Sequence, residues 1–361
     1  LVRDTIKLEK QAAKSEIKPI KGAAGRELQI GVITVPAFYS DFDAARRGVA
    51  DYRSTTRDVR RLLNELNGKI DGLVLDLREN GGGSLQEAGD LTGLIIGDGP
   101  VVQVRQADGD VEVEKDSEPA PIYTGPLAVL VDHASASASE IFAGAIQDYG
   151  RGIVIGDPTF GKGTVQTLVD LNRLTKAKDP QGQVKMTIAK FYRVNGCSTQ
   201  HRGVQPDIAI PSIMDSAETG ESAQKNALPW DEIPATRYRD NRQLAALTPE
   251  LARRHQIRAA SNPDYQSFLR DLEFTRQQRD KTTVSLLESG RRTERERIEA
   301  WQRERENRYR SAKGLPPLKP GDEIPEGKDS VVPDAALEES ARIVADLVRL
   351  TGSNSALVMG R

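Results

Sequence analysis

Cysteine is almost missing from this chain. Cys197 stands alone among 361 residues, which excludes an internal disulfide framework and any cysteine-rich metal site. Histidine is nearly as scarce. His133, His201 and His255 lie far apart and no H-E-x-x-H pattern occurs, so no metal is expected. No run of about 18 apolar residues is present, so no integral membrane segment is expected either. An excess of one charge is also lacking. Lys and Arg total 51 against 53 Asp and Glu, a formal net charge of -2. That leaves no global attraction to nucleic acid or to an anionic membrane. The first residue is Leu1 and the three methionines are Met186, Met214 and Met359. Nothing near the start resembles a signal peptide, so the chain is expected to be a piece of a longer or processed protein.

The 37% hydrophobic content is that of a globular protein, and 361 residues are more than one core usually serves, so two domains are expected. Over 1–213, Val- and Ile-rich runs alternate with helical patterns, which predicts mixed α and β structure. Strands are expected at 28–35, 72–77, 101–105, 127–131, 153–155, 164–168 and 184–194, and helices at 56–66, 85–96 and 138–149. Asp108-Gly109 between two β-rich runs predicts a hairpin turn. Around 214–234 the periodicity fades, and the domain linker is placed there. Beyond it, 235–361 reads as helical and highly charged. Thr248-Pro249-Glu250 has the form of an N-cap with proline at the first helical position. The stretch 291–310 carries eight arginines and five glutamates, a mixture that predicts a solvated helix laced with i,i+4 pairs. Four prolines over 315–325 break that helix. The last helix, 334–350, is amphipathic, with Leu337, Ala341, Val344, Leu347 and Val348 on one face.

Three segments could carry chemistry. In the first, Ser137 follows an apolar run and opens a helical pattern. Ser137 and Glu140 form S-x-x-E, a capping box, so a plain cap is one reading. A helix N-terminus also offers free N–H groups and partial positive charge, which stabilise an alkoxide or an oxyanion. In the second, Gly156, Gly161 and Lys162 fit G-x-x-x-x-G-K. Gly163 then stands where a phosphate loop needs Ser or Thr, and a strand follows instead of a helix. Strand alternation would put Lys162, Thr164 and Gln166 on one face, where Gln166 could hold the amine. As a general base Lys162 would need its pKa lowered by burial; the plain alternative is an exposed loop lysine. In the third, Gly81-Gly82-Gly83 lies between a strand and a helix. It could be a tight turn, or it could present backbone N–H groups to an anion.

Together these segments resemble the C-terminal processing (tail-specific) proteases, serine peptidase family S41. The resemblance rests on DLRENGGG at 76–83, SASASEIFAGAIQDYGR at 135–151, TFGKGTVQ at 159–166 and KFYRVNGCSTQHRGVQPDI at 190–208. Ser137 and Lys162 are twenty-five positions apart, as in the family pattern. NALPWD at 226–231 and the charged helical region resemble the subgroup of large periplasmic tail-specific proteases of Gram-negative bacteria. The resemblance implies a mixed α/β fold: a β-β-α superhelix core of the kind shared with the crotonases and ClpP, followed by a charged α-helical domain. It implies Ser137 as nucleophile, Lys162 as base and Gln166 as the residue that orients the base. The oxyanion hole would come from the backbone N–H of Ala138 with one from Gly82 or Gly83. Asp148 matches a supporting position; its plain alternative is a helix-surface carboxylate that caps or pairs with Arg151.

The expected activity is therefore that of a serine endopeptidase using a Ser–Lys dyad and no cofactor. Its substrates would be proteins with unstructured, apolar C-terminal tails, and the resemblance leaves an adaptor protein and an oligomer open. A periplasmic location is implied in the same way. Relatives carry a PDZ domain before the segment matching 1–14, and this chain does not contain it, which puts tail recognition by this chain alone in question. Two other functions stand beside this one: a non-catalytic scaffold that binds a partner, and a crotonase-like acyl-CoA enzyme, which the Ser–Lys spacing disfavours. A Ser–His–Asp triad from Asp132 and His133 is disfavoured because adjacent residues point to opposite sides of a strand.

Overall fold

The computed structural model describes residues 12–21, 26–174, 179, 181–214, 218–241 and 243–352. Residues 1–11 and 215–217, which fall in the N-terminal segment and the expected linker, lie outside them. The chain divides into two compact units, one formed by Leu1–Ile257 with Glu339–Arg361 and the other by Arg258–Glu338.

The first unit is built on two sheets. The larger has six strands in the order β1 (Lys14–Lys21), β2 (Glu27–Thr34), β3 (Gly72–Asp76), β6 (Leu127–Val131), β7 (Ile153–Gly156) and β10 (Ile208–Ala209). All pairs are parallel except β1 with β2. Strands β3 and β6 are buried at every position, as expected of central parallel strands covered on both faces. The smaller sheet is antiparallel, in the order β5 (Val111–Asp116), β4 (Gly99–Gln106), β9 (Gln183–Tyr192), β8 (Thr164–Asp170). The β4–β5 hairpin turns at Gly109, as the Asp-Gly pair predicts.

Helices cross between the parallel strands. A short α1 (Phe42–Arg46) precedes α2 (Thr55–Leu66), which buries Val59, Leu62, Leu63 and Leu66 at helical spacing and is capped by Ser54. Helix α3 (Leu85–Ile96), capped by Ser84, and α4 (Ala138–Asp148) pack together. The core they close includes Leu75, Leu91, Val129 and Phe142, all fully buried. Strand β1 has no counterpart in the predicted elements. It is a sheet edge, mostly exposed and carrying Pro19, so it lacks the apolar alternation that marks a strand.

The expected helix start at Thr248 is corrected. Helix α5 runs Gln243–Ser261 with Pro249 inside it. Its first turns line a cleft with Gly150 and Gly152, and Asn241 N–H donates to Tyr149 O at 3.1 Å just before them. That packing holds a turn which proline alone would disfavour. The last helix, α8 (Ala335–Thr351), buries Ala341, Val344 and Leu347 as its pattern predicts. From Glu339 onward it belongs to the first unit, where Val344 presses on Gly72 of β3 and Glu339 meets His255 of α5 at 3.1 Å.

The second unit holds α6 (Pro263–Arg279) and α7 (Glu288–Ala312). Asn262 caps α6 with Pro263 at the first helical position. Helix α7 contains the arginine–glutamate stretch, and pairs such as Arg292–Glu288 run along its surface. Phe274 and Trp301 stack with ring centroids 4.4 Å apart.

Candidate active site

Ser137 stands between β6 and α4, at the N-cap of α4. Its φ of 58° and ψ of -109° are not those of an ordinary cap, which sits in the extended region. A non-glycine residue at positive φ costs energy and is held only where its surroundings determine it. Here they do. Asn80, fully buried in the turn after β3, accepts Ala136 N–H at 3.0 Å and Ser139 Oγ at 2.8 Å on its carbonyl. The small Ala136 and Ala138 let that turn lie against the serine. Gly82, at φ 100°, is so close that a Cβ on it would sit 2.9 Å from Ser137 Cβ and 2.7 Å from Ala136 O.

Glu140 joins this segment to the lysine loop. Its carboxylate accepts Ser137 N–H at 2.8 Å, Lys162 N–H at 2.9 Å, Gly161 N–H at 2.7 Å and Thr159 Oγ1 at 2.7 Å. Sequence reasoning treats Glu140 only as half of a capping box. The S-x-x-E signal finds the Ser137 bond, but the three bonds to 159–162 come from a segment some twenty residues away. Burial pushes this carboxyl up to about 7, against the lowering effect of Thr159 and the three backbone donors.

Lys162 is half-buried. Loss of hydration lowers its pKa, the Lys185 cation lowers it further, and the carboxylates of Glu140 and Glu221 act the other way. Its Nζ donates to Thr164 O at 2.7 Å and makes no hydrogen bond to Ser137 in this state. Ser137, Ala138, Gly83, Lys162 and Gln166 all line one cavity of about 280 Å³. Leu85, Ile141 and Phe191 give it apolar walls. Gln166 reaches it although the strand is irregular: the register of β8 against β9 shifts between Val165 and Gln166.

Two further residues are placed plainly. Gly82 N–H is already donated to Asn80 Oδ1 at 2.9 Å, while Gly83 lines the cavity. Asp148 is at the far end of α4 from Ser137, about 16 Å along an eleven-residue helix. Its partners are Arg193 Nε at 3.0 Å and Asn195 Nδ2 at 2.8 Å, not Arg151, whose Nη2 goes to Tyr123 O. The Asp132–His133 pair is spent elsewhere. Asp132 Oδ1 accepts the N–H groups of Glu79, Ala134 and Ser135, and the two ring nitrogens of His133 face Pro158 O and Thr219 O.

A serine set at the start of a helix, a half-buried lysine and a glycine turn thus converge on one cavity. Residues 29–210 match the model of peptidase family S41, and 214–349 match the model described as the C-terminal domain of tail specific protease. The chain belongs to peptidase family S41. It is 41% identical over 353 residues to a tail-specific protease of Haemophilus influenzae, covering 96% of this chain and 48% of that protein. It is 35% identical over 162 residues to a carboxy-terminal-processing protease of Bartonella bacilliformis, covering 45% of this chain and 35% of the other. The carboxy-terminal processing protease CtpB of Bacillus subtilis is 37% identical over 158 residues, 43% of this chain and 31% of the relative. The chain thus spans about half the length of the first relative and about a third of the others.

Proposed function

We propose that this chain carries the catalytic site of a serine endopeptidase that works through a Ser–Lys dyad. The observation that carries this reading is the convergence of Ser137, held at positive φ, and half-buried Lys162 on one cavity. A lysine whose pKa is lowered by burial can act as a base once neutral. Its amine turns from Thr164 O to Ser137 Oγ and takes the proton as the oxygen attacks the scissile carbonyl. The resulting oxyanion is met by the N–H of Ala138, in the first turn of α4, and by that of Gly83, since Gly82 N–H is engaged by Asn80. Collapse breaks the C–N bond as Lys162 passes its proton to the leaving amine, and an acyl-enzyme remains on Ser137. Neutral Lys162 then takes a proton from the attacking water and returns it to Ser137 Oγ as the ester is cleaved. Gln166, from the same cavity, orients the amine. Asp148 supports from a distance by fixing the end of α4 to Arg193 and Asn195.

The peptidase core is assigned to 1–213, the connection to 214–234 and the helical region to 235–361; the limits of the two family matches, at 210 and 214, support the first boundary. Proteins with unstructured, apolar C-terminal tails are the substrates this reading favours, in keeping with the names of its relatives and the apolar walls of the cavity. A periplasmic location, an adaptor and an oligomer belong to the same reading by resemblance. Among the described residues no helix is long and apolar enough to cross a membrane.

Ser137→Ala and Lys162→Ala should each abolish cleavage of an unfolded protein while leaving the thermal unfolding transition in place. Full activity in either variant would overturn the dyad. A scaffold role is favoured by one observation, the resting bond of Lys162 to Thr164 O. Covalent labelling of Ser137 by a serine-directed fluorophosphonate would exclude that role.

A further inference from the structure

The cavity that holds Lys162 has a second lysine on its wall. Lys185 lies on β9, in register with Leu168 of β8, the strand that begins two residues after Lys162. No aspartate or glutamate side chain lines this cavity, and among the described residues Lys185 has no carboxylate partner. Three charged groups face Lys162: Lys185 from β9, Glu140 from α4 and Glu221 from the turn at 221–223. The two acids are already occupied. Glu140 accepts three backbone N–H groups and the Thr159 hydroxyl, and Glu221 accepts Gln200 Nε2 at 3.0 Å. Of the three, Lys185 is the one whose charge has the same sign as that of Lys162, and it lines the same cavity.

We propose that Lys185 is a positioning residue for the reaction: its charge, on the wall of the cavity that Lys162 also lines, disfavours a second ammonium group there and so favours Lys162 as a base. The inference rests on the Ser–Lys reading given above. Two ammonium groups on one cavity repel, and burial already disfavours the charge on Lys162. Lys185 is exposed, so its field passes partly through solvent and weakens with salt. The same side chain leaves the reacting atoms to Ser137 and Lys162 and acts only through the second of them.

The test compares pH profiles of kcat/KM, and of Ser137 labelling by a fluorophosphonate, for the full chain and its Lys185→Gln, Lys185→Glu and Lys185→Arg variants. The expected result is a rise with pH whose midpoint moves to higher pH in Lys185→Gln and further in Lys185→Glu. At pH 7 and low salt the glutamine variant should lose on the order of threefold in rate. The loss should shrink at alkaline pH and in high salt, and Lys185→Arg should restore the wild-type midpoint. An unmoved midpoint overturns the inference, whether or not the plateau falls. So does a change confined to KM for peptides with an acidic residue near the scissile bond, which would make Lys185 a substrate contact. A flat wild-type profile, or labelling that survives Ser137→Ala, would instead defeat the Ser–Lys reading itself. Lys185 is exposed on a strand, so these variants are expected to fold; the arginine variant separates lost charge from lost packing.

Discussion

A buried carboxylate with four donors around it is the residue on which the site geometry turns. Glu140 ties the serine segment to the lysine loop through bonds of 2.7–2.9 Å. Replacing it by alanine would leave three backbone N–H groups without a partner, at a cost of about 3 kcal/mol or more. Glu140→Ala is therefore expected to lower the midpoint of urea unfolding and to slow labelling of Ser137, because the serine segment and the lysine loop lose their common anchor. The carboxyl also titrates. Its folded-state value, about 7, lies above the ordinary 4.5, so folding favours the protonated form. That contribution is full below about pH 4.5 and is lost as pH rises through about 7. The stability of the wild type relative to the non-titrating Glu140→Gln variant should fall across that window in urea titrations. A difference independent of pH would show that Glu140 does not titrate there.

At the scale of elements, the site is two strand–turn–helix junctions pressed together. One is the turn 80–83 between β3 and α3; the other is 132–137 between β6 and α4. Adjacent parallel strands bring both turns to the same sheet edge. The turns approach so closely that Gly82 has no room for a methyl group. Gly82→Ala should displace the Ser137 segment, and a shift of about 1 Å can cost on the order of 100-fold in kcat/KM. Gly89→Ala is the control. Gly89 lies inside α3 with open space around it, so alanine there should keep activity and raise stability by about 1 kcal/mol. Equal losses in the two variants would mean that the close approach at Gly82 is not what holds the serine. These elements were largely legible in the sequence. Strands β3 and β6 are short apolar runs, and Ser54 and Ser84 announce their helices. Strand β1 and the start of α5 were not legible, because one is a polar edge and the other contains a proline held in place by distant packing.

For the molecule as a whole, the end of the chain matters to its beginning. Helix α8 is in the region expected to form a separate helical domain, yet from Glu339 it packs within the first unit. Ile343, Val344 and Leu347 are buried, and Val344 rests on the backbone of β3 at Gly72. Each such side chain is worth roughly 1.5–3 kcal/mol of burial. A chain ending at residue 213, which keeps every proposed catalytic residue, should therefore unfold at lower temperature than the full chain and be cut faster in limited proteolysis. Equal thermal midpoints would show that α8 is dispensable to the core.

Sequence by itself determined the serine-bearing helix start, the lysine loop, the glycine turn and the family. Each is a contiguous motif whose local chemistry, a small-residue helix start or a glycine-flanked lysine before a strand, is written in neighbouring residues. Only the tertiary structure decided that Glu140 serves two loops, that Asn80 O accepts from Ala136 N–H and the Ser139 hydroxyl, that Asp148 pairs with Arg193 and that Lys185 lines the same cavity as Lys162. Those relations join residues that periodicity cannot connect. They depend on strand register, on the irregularity between Val165 and Gln166, and on which buried polar groups find their partners across the fold.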